Sequence, residues 1–142
     1  MDDDQLARAC AEAMYAGDAA SQHLGIVISD VAPGRATATM RVVDTMVNGH
    51  GICHGGYVTL LADTAFAFAC NTYDVRTVAQ GLDVSLLAPV YAGDELMAIA
   101  VERWRKGRSG LYDVSVTRGQ GEVVAEVRGR SRTISGSVIP PQ

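Results

Sequence analysis

A single carboxylate interrupts the most apolar helical segment of this sequence. The segment from Tyr57 to Asn71 is apolar at nearly every position, and Asp63 is its only charged residue. No Lys or Arg stands three or four residues from Asp63, so its helical neighbours offer no salt bridge. Such a charge is costly unless it is paired or faces a cleft. Asp63 is therefore either a base or nucleophile with a pKa set by its environment, or a structural carboxylate that hydrogen-bonds a neighbouring loop.

A glycine turn stands directly before this segment. His54, Gly55 and Gly56 precede the first predicted helical turn. Glycines let the backbone turn sharply and let a ligand approach closely. The first N–H groups of a helix lack intrahelical acceptors and carry partial positive charge. Donors of this kind stabilise a carbonyl oxygen that becomes negative during acyl transfer. His-Gly-Gly alone is a weak signal, because many glycine turns only turn the chain.

The same loop holds other groups with possible chemistry. Asn48, His50, Cys53 and His54 lie within seven residues. Their spacing matches no known zinc pattern, so a metal site is not favoured. Cys53 beside a histidine is an alternative nucleophile, although adjacent side chains seldom point at each other and nothing in the sequence activates the thiol.

Cationic residues concentrate in two short segments of an otherwise acidic chain. The first group lies in a predicted turn and the second alternates along the last predicted strand: Arg103, Arg105, Lys106 and Arg108, then Arg128, Arg130 and Arg132. Alternation by two puts the second group on one sheet face. The cations form either a solvated hairpin or a clamp for a ligand with several phosphates, such as coenzyme A. The turn lacks a Walker pattern, so ATP is not indicated.

The elements that must position these groups follow from hydrophobic periodicity. Apolar residues at helical spacing predict a first helix from Gln5 to Ala16. Strands are predicted at Leu24–Val31, Arg35–Val42, Thr77–Leu87, Asp94–Trp104, Gly110–Thr117 and Val123–Thr133. Two strands thus precede the long apolar helix and three or four follow it, with short turns, which is typical of an α+β domain. A helix that is apolar on every face is expected to be buried on every face.

The composition suits one folded domain that is not a nucleic-acid binder. The 142 residues are 48% hydrophobic and 20% charged, with a formal net charge of −4. Phosphate neutralisation needs a basic face, so nucleic acid is not expected as a partner. We predict a single domain over residues 1–134 and a flexible tail over residues 135–142.

The cysteines and the amino-terminal residues predict a cytoplasmic protein. The three cysteines are odd in number and lack the spacing of metal or redox motifs, which indicates reduced thiols. The start of the chain, Met1–Asp4, is the reverse of the basic start of a signal peptide. No apolar run is long enough for a membrane span, so no membrane partner is expected.

Four stretches of the sequence resemble one known family. They are Asn48-Gly-His-Gly-Ile-Cys-His-Gly-Gly56, Leu61-Ala-Asp-Thr-Ala-Phe-Ala-Phe-Ala-Cys-Asn71, Leu87-Ala-Pro-Val-Tyr-Ala-Gly-Asp-Glu-Leu96 and Gly110-Leu-Tyr-Asp-Val114. Together they resemble the PaaI type of hotdog-fold acyl-CoA thioesterase, known from phenylacetic acid degradation. The resemblance covers roughly Ala11 to Ile134.

The resemblance implies an α+β hotdog fold, in which an antiparallel sheet of about five or six strands wraps a long central helix. It also implies a homodimer whose two sheets join, and usually a homotetramer built from two dimers. The active sites of this family lie at the dimer interface, where the helix carboxylate of one subunit faces the glycine turn of the other.

The resemblance also implies roles for individual residues. Asp63 matches the catalytic carboxylate, and Gly55 matches the residue whose N–H polarises the thioester carbonyl. Asn48 matches a side chain that contacts the carbonyl or the water, and His54 matches a position that supports the loop or the thiolate end. Gly56 and Thr64 are expected in supporting roles. The nucleotide of coenzyme A is expected near Lys106, Arg108, Ser109 and Arg130.

One departure concerns the attacking water. Some relatives place a Ser or Thr two residues before the position of Asp83, where this chain has Gly81. The role of orienting the water is then expected to pass to Thr64 or Gln80.

The expected reaction is hydrolysis of an acyl-CoA, with an aryl-acetyl group such as phenylacetyl or hydroxyphenylacetyl, to a free acid and coenzyme A. No metal or organic cofactor is expected. Two alternatives remain: a hotdog-fold hydratase, which would use an Asp–His pair, and a non-catalytic acyl-CoA-binding domain.

Overall fold

A six-stranded antiparallel sheet and one long helix make up most of the protein. The computed structural model describes residues 1–141. Its strands are β1 Val27–Ala32, β2 Arg35–Arg41, β3 Thr77–Leu86, β4 Glu95–Lys106, β5 Ser109–Arg118 and β6 Glu122–Thr133. Its α-helices are α1 Asp3–Ala16, α2 Ala19–His23 and α3 Gly55–Cys70, with a 3-10 turn at Asp44–Met46. The strands are ordered β1-β2-β4-β5-β6-β3 across the sheet. The predicted α+β hotdog architecture is confirmed.

Helix α3 packs on one face of this sheet and closes the core. Alternate residues of β2, β4 and β5 are buried: Ala36, Ala38, Met40, Leu96, Ala98, Ala100, Tyr112, Val114 and Val116. The alternation follows because successive strand residues point to opposite faces. A Cβ atom at Gly129 of β6 would lie 2.8 Å from the ring of Phe66, so only glycine admits the helix there.

The predicted element boundaries hold to within a few residues, with one error near the amino terminus. Helix α2 was not predicted, and the strand predicted to begin at Leu24 begins at Val27 instead. Asp18 caps α2 by accepting the Ser21 N–H at 3.0 Å, and Leu24 closes the helix. The strand begins later than predicted because Leu24 is the C-cap of α2 and Gly25 has a φ of 69°, a left-handed conformation that does not occur in a regular strand.

The prediction that α3 is buried on every face is wrong on one side. The side chains of Thr59, Leu60, Asp63, Thr64 and Ala67 are only half-buried. Residues three and four positions apart share a helix face, so these five form one continuous stripe. The sheet of the same chain leaves this stripe of α3 open.

Strand β3 is an edge of the sheet with apolar residues left uncovered. Val84 and Leu86 are paired with Val127 and Ala125 of β6, which are buried on the face that α3 covers. Val84 and Leu86 themselves are 38% and 55% exposed. An edge strand also presents free backbone N–H and C=O groups to another chain. β3 therefore offers both backbone and apolar surface for association.

The segment after β6 is held by the turn that follows α3. The Asp74 Oδ1 atom accepts the N–H groups of Val138 at 3.0 Å and Ile139 at 2.9 Å. The Arg76 N–H donates to the Gly136 carbonyl at 3.0 Å. The division into a domain at 1–134 and a flexible tail at 135–142 stays a prediction, and Gln142 lies outside the described residues.

Two further features bear on the environment of the protein. No helix within residues 1–141 is both long enough and apolar enough to cross a membrane. Cys10, Cys53 and Cys70 are free and buried.

Candidate active site

Two backbone hydrogen bonds fix the glycine turn at the start of α3. The Cys53 N–H donates to the Val90 carbonyl at 2.6 Å, and the His54 N–H donates to the Met46 carbonyl at 2.7 Å. Val90 and Met46 are themselves buried, so both acceptors belong to the core. The turn therefore enters the helix in a fixed direction.

His54 serves as the N-cap of α3. Its Nδ1 atom accepts the Gly56 N–H at 2.8 Å, which assigns the ring proton to Nε2 when the imidazole is neutral. The ring also stands edge-on to Tyr57, with centroids 6.5 Å apart. These contacts give His54 a structural role in the turn. The hydratase alternative is weakened, because the Nδ1 atom is not free to abstract a proton.

Gly55 leaves its N–H group open. It is the first residue of α3, and within residues 1–141 its N–H meets no acceptor, whereas the next N–H is taken by His54. A Cβ atom at Gly55 would lie 2.5 Å from Leu86 Cδ1, so a larger residue would displace the β3 side chain. A free N–H at the positive end of a helix is a suitable donor to an oxyanion.

The Asn48 side chain accepts hydrogen bonds from its own loop and leaves its amide NH2 group unused. Its Oδ1 atom accepts the His50 N–H at 2.9 Å, and the Ile52 N–H lies at 3.4 Å. In the described part of the chain, its amide NH2 group meets no acceptor. The side chain can therefore donate to a carbonyl oxygen or to water without breaking the loop.

A pocket of about 200 Å³ lies beside these two donors. Asn48 and Gly55 line it together with eight further residues: Ile52, Cys53, Val58, Leu86, Ala88, Pro89, Val90 and Val124. Its wall is mainly apolar, and Asp63 does not line it. A larger groove of about 410 Å³ between α1 and β1 contains none of the predicted site residues.

Asp63 lies on the open stripe of α3 as a carboxylate without a partner. Within residues 1–141 it forms neither a hydrogen bond nor an ion pair. Burial raises the pKa of the Asp63 carboxyl above its ordinary value, because loss of water disfavours the charged form. A carboxylate with a raised pKa and free oxygens is the state that a general base requires.

Asp63 and Gly55 of one chain lie at different levels along α3. Eight residues of α-helix separate them by about 12 Å along the axis. If Gly55 bound the thioester carbonyl and Asp63 attacked it directly, the two groups would have to lie within roughly 6 Å of each other. With a water molecule between Asp63 and the carbonyl, the separation could be about 9 Å. This spacing along α3 favours a site in which the two groups come from different subunits.

Thr64 is poorly suited to donate a proton to the water, and Cys53 is poorly suited to act as a nucleophile. The Thr64 hydroxyl donates to the Leu60 carbonyl at 2.8 Å, so its proton is already used within the helix. Burial raises the pKa of the Cys53 thiol, with a smaller contribution from Asp94, which disfavours the nucleophilic thiolate. Among residues 1–141, no group of three or more His, Cys, Asp or Glu could hold a metal ion.

The cationic residues gather at the end of the sheet formed by the β4–β5 hairpin. Several form ion pairs with carboxylates: Arg103 and Arg128 share Asp113, Arg105 pairs with Glu102, and Arg130 pairs with Asp83 at 2.9 Å. Lys106, Arg108 and Arg132 take part in no ion pair within the described residues. Among the residues expected to hold coenzyme A, Lys106 and Arg108 thus have free charge, whereas Arg130 is already paired.

Gly81 accommodates the Arg130 side chain. A Cβ atom at Gly81 would collide with the guanidinium that pairs with Asp83. The β3 strand also shifts register between Ala79 and Gly81. A larger residue at this position would require the exposed end of the Arg130 side chain to shift.

The sequence analysis did not predict the apolar residues that line one side of the pocket beside Gly55. Leu86, Ala88, Pro89 and Val90 come from the end of β3 and the loop after it, far along the chain from the glycine turn. The sequence marked this segment only through its family resemblance, because an apolar loop without charges carries no chemical signal of its own.

Comparison with known proteins identifies the family of this chain. The family model described as the thioesterase superfamily matches residues 50–125. The acyl-coenzyme A thioesterase PaaI of Escherichia coli (strain K12) is 43% identical over 128 residues, which cover 90% of this chain and 91% of that protein. A putative esterase of Deinococcus radiodurans is 36% identical over 104 residues, covering 72% of this chain and 70% of that protein.

Solved structures show the same similarity. The PaaI protein from the phenylacetic acid degradation operon of E. coli superposes with a TM-score of 0.92 at 42% identity, covering 94% of this chain and 97% of that one. A mutant of the phenylacetic acid degradation protein PaaI from Thermus thermophilus gives 0.77 at 33% identity, covering 80% and 97%. The chain therefore belongs to the thioesterase superfamily, as a hotdog-fold thioester hydrolase of the PaaI type.

Proposed function

We propose that the protein hydrolyses an acyl-CoA thioester to a free acid and coenzyme A. The observation that carries this proposal is the pair of unused groups on α3, the free Gly55 N–H and the unpartnered Asp63 carboxylate. The name of the E. coli relative, an acyl-coenzyme A thioesterase, supports coenzyme A as the thiol. Release of free thiol from phenylacetyl-CoA is the direct test, and absence of release would reject the activity.

In the proposed reaction, Gly55 and Asn48 stabilise the oxyanion and Asp63 acts as the base or the nucleophile. The Gly55 N–H, with the Asn48 amide, donates to the carbonyl oxygen as it becomes negative. Asp63 either removes a proton from the attacking water or attacks the carbonyl carbon itself. The C–S bond then breaks, and the thiolate leaves with the electron pair and takes up a proton. In the route by direct attack, water afterwards hydrolyses the acyl–Asp63 anhydride to the free acid and restores the carboxylate. Gly56 and His54 hold the turn, and Thr64 can offer only an acceptor to the water. No metal or organic cofactor is needed for these steps.

The active site is proposed to form between two subunits. The separation of about 12 Å along α3 favours action of Asp63 on a thioester bound at another glycine turn. The exposed apolar residues and free edge of β3 suit antiparallel pairing with a second β3, which would join the two sheets around a twofold axis. A homotetramer of two such dimers and a cytoplasmic location are further proposals, the first from the family resemblance and the second from the three free thiols.

The acyl group is proposed to be aryl-acetyl and to enter the pocket beside Gly55. A volume of about 200 Å³ with apolar walls suits a phenyl ring. We expect Ala88→Phe to lower kcat/KM for phenylacetyl-CoA roughly tenfold or more, because the added ring fills the pocket. Activity on acetyl-CoA should stay closer to wild type. The measurement is thiol release from both substrates.

Ala92→Phe is the matched control for this prediction. Ala92 belongs to the same loop as Ala88 but is exposed, so the same added ring should leave both substrates unaffected. An equal loss on both substrates in Ala88→Phe would show that the pocket does not receive the acyl group.

The nucleotide of coenzyme A is proposed to lie near Lys106, Arg108, Ser109 and Arg130. We expect the double variant Lys106→Ala, Arg108→Ala to raise KM roughly fivefold with kcat retained, because exposed ion pairs contribute little each. The wild-type KM should rise with salt for the same reason. Arg103→Ala is the control, since Arg103 is already paired with Asp113. Equal KM values for the double variant and the wild type would remove the hairpin from the binding site.

A further inference from the structure

Arg118, at the end of β5, is the most heavily engaged cation of the described chain. Its Nη1 atom donates to the Pro89 carbonyl and, at 3.1 Å, to Asp94 Oδ2. Its Nε and Nη2 atoms donate to the two carboxylate oxygens of Glu122 at 2.9 and 3.2 Å. The side chain is only 18% exposed although it lies at the rim of the sheet. The guanidinium therefore joins the β5–β6 turn to the loop between β3 and β4.

This loop, residues 87–94, touches the candidate active site at two points. Its Val90 carbonyl accepts the Cys53 N–H at 2.6 Å, and Cys53 stands two residues before the oxyanion donor Gly55. Its residues Ala88, Pro89 and Val90 also form one wall of the pocket beside Gly55. A displacement of the loop would thus move the glycine turn and the pocket wall together.

Backbone hydrogen bonds hold both ends of the 87–94 loop, and its middle is held on one side by the Cys53 N–H bond to the buried Val90. Leu87 donates to the Val124 carbonyl at 2.8 Å, and Gly93 donates to the Val42 carbonyl at 2.7 Å. In the middle, Pro89 has no N–H, and Arg118 is the donor to its carbonyl. The Tyr91 N–H is bound by Asp94 Oδ2, the same oxygen that Arg118 contacts.

We propose that Arg118 is a positioning residue, which holds the 87–94 loop against the glycine turn and so fixes where the Gly55 N–H meets the thioester. This inference rests on the proposed function for its catalytic consequence. Its structural part, the coupling of Arg118 to the Cys53 N–H through Val90, is independent of the reaction.

The test compares Arg118→Met with the wild type by steady-state kinetics and by hydrogen exchange. Methionine keeps much of the apolar stem but removes every donor. We expect kcat on phenylacetyl-CoA to fall roughly tenfold with KM little changed, because small misplacements of reacting groups cost large factors in rate. The Cys53 amide should exchange at least several-fold faster, while buried amides of β4 stay protected. Arg118→Lys, which can still donate to Pro89, should recover part of both losses.

Glu122→Gln is the matched control. The substitution weakens the hydrogen bonds between Arg118 and the side chain at position 122 but leaves the contacts of Arg118 with Pro89 and Asp94. Both kcat and the exchange rate of the Cys53 amide should therefore remain near wild type. Unchanged kcat and unchanged Cys53 exchange in Arg118→Met would overturn the proposal. A fall in thermal stability with wild-type kcat would also overturn it, since that is the result of a merely structural role. If the wild type released no thiol, the proposed function would fail, and the exchange experiment would still decide the coupling.

Discussion

Replacement of Asp63 by asparagine is expected to lower thiol release from phenylacetyl-CoA by about 10²-fold or more. Asparagine keeps the size of the side chain but cannot accept a proton from water or attack the carbonyl, and general-base catalysis of this kind contributes about 10²–10⁴-fold. Binding of coenzyme A should remain, because the cationic hairpin is untouched. Steady-state kinetics and calorimetric titration with coenzyme A measure the two effects separately.

The same variant is expected to be more stable than the wild type at neutral pH. Burial raises the pKa of Asp63, so the folded chain binds its proton more tightly than the unfolded chain does. This favourable contribution is present at low pH and is lost as the pH rises through the raised pKa, where the charged form becomes a cost. Asparagine removes that cost, so the gain in melting temperature should shrink as the pH is lowered toward the ordinary pKa of aspartate.

Lost activity with increased stability distinguishes a catalytic carboxylate from a structural one. If Asp63 only held a neighbouring loop, Asp63→Asn would lower stability and leave the folded enzyme active. Asp44→Asn is the control, because Asp44 is an exposed carboxylate before the same glycine loop. Full activity in Asp63→Asn would reject the mechanism and leave the non-catalytic binding domain as the better account.

The second large effect is expected from Val84→Glu, which should separate the subunits and abolish hydrolysis together. The substitution places a charge on the apolar part of the β3 edge, where a pairing partner would have to bury it. Because the proposed site takes Asp63 and Gly55 from different chains, a monomer should lack a complete site. Sedimentation velocity and thiol release, measured on the same samples, test the link.

Val27→Glu is the control for this prediction. Val27 is an exposed valine on β1, the opposite edge of the sheet, so the same charge there should preserve both assembly and activity. An active monomer of Val84→Glu would contradict the two-subunit site.

A mixing experiment tests the shared site without breaking the dimer. Asp63→Asn removes the carboxylate, and Asn48→Ala removes a donor of the glycine turn. Each variant alone should be impaired, because every site lacks one of the two groups. When the two variants are refolded together, a mixed dimer regains one site with both wild-type groups. Recovery of activity on mixing is expected, whereas sites contained in one chain would show none.

The sequence by itself determined the class of fold and indicated the candidate reactive groups. Asp63 stood out because a charge in an apolar helix needs a reason, and the glycines at positions 55 and 56 marked a helix start with open N–H groups. These signals are local, because they depend on neighbours within one turn of helix. For the same reason the strand alternation predicted the sheet to within a few residues.

Only the tertiary structure decided how these groups can work. It showed that Asp63 lies on an open stripe of α3, that β3 is an uncovered edge, and that Gly55 faces a pocket walled by the 87–94 loop. It also showed Arg118 donating to the Pro89 carbonyl of that loop and Arg130 already paired with Asp83. These relations join residues that lie far apart in the chain, so no periodicity or spacing encodes them. They depend on strand order and side-chain packing, which exist only once the sheet has formed.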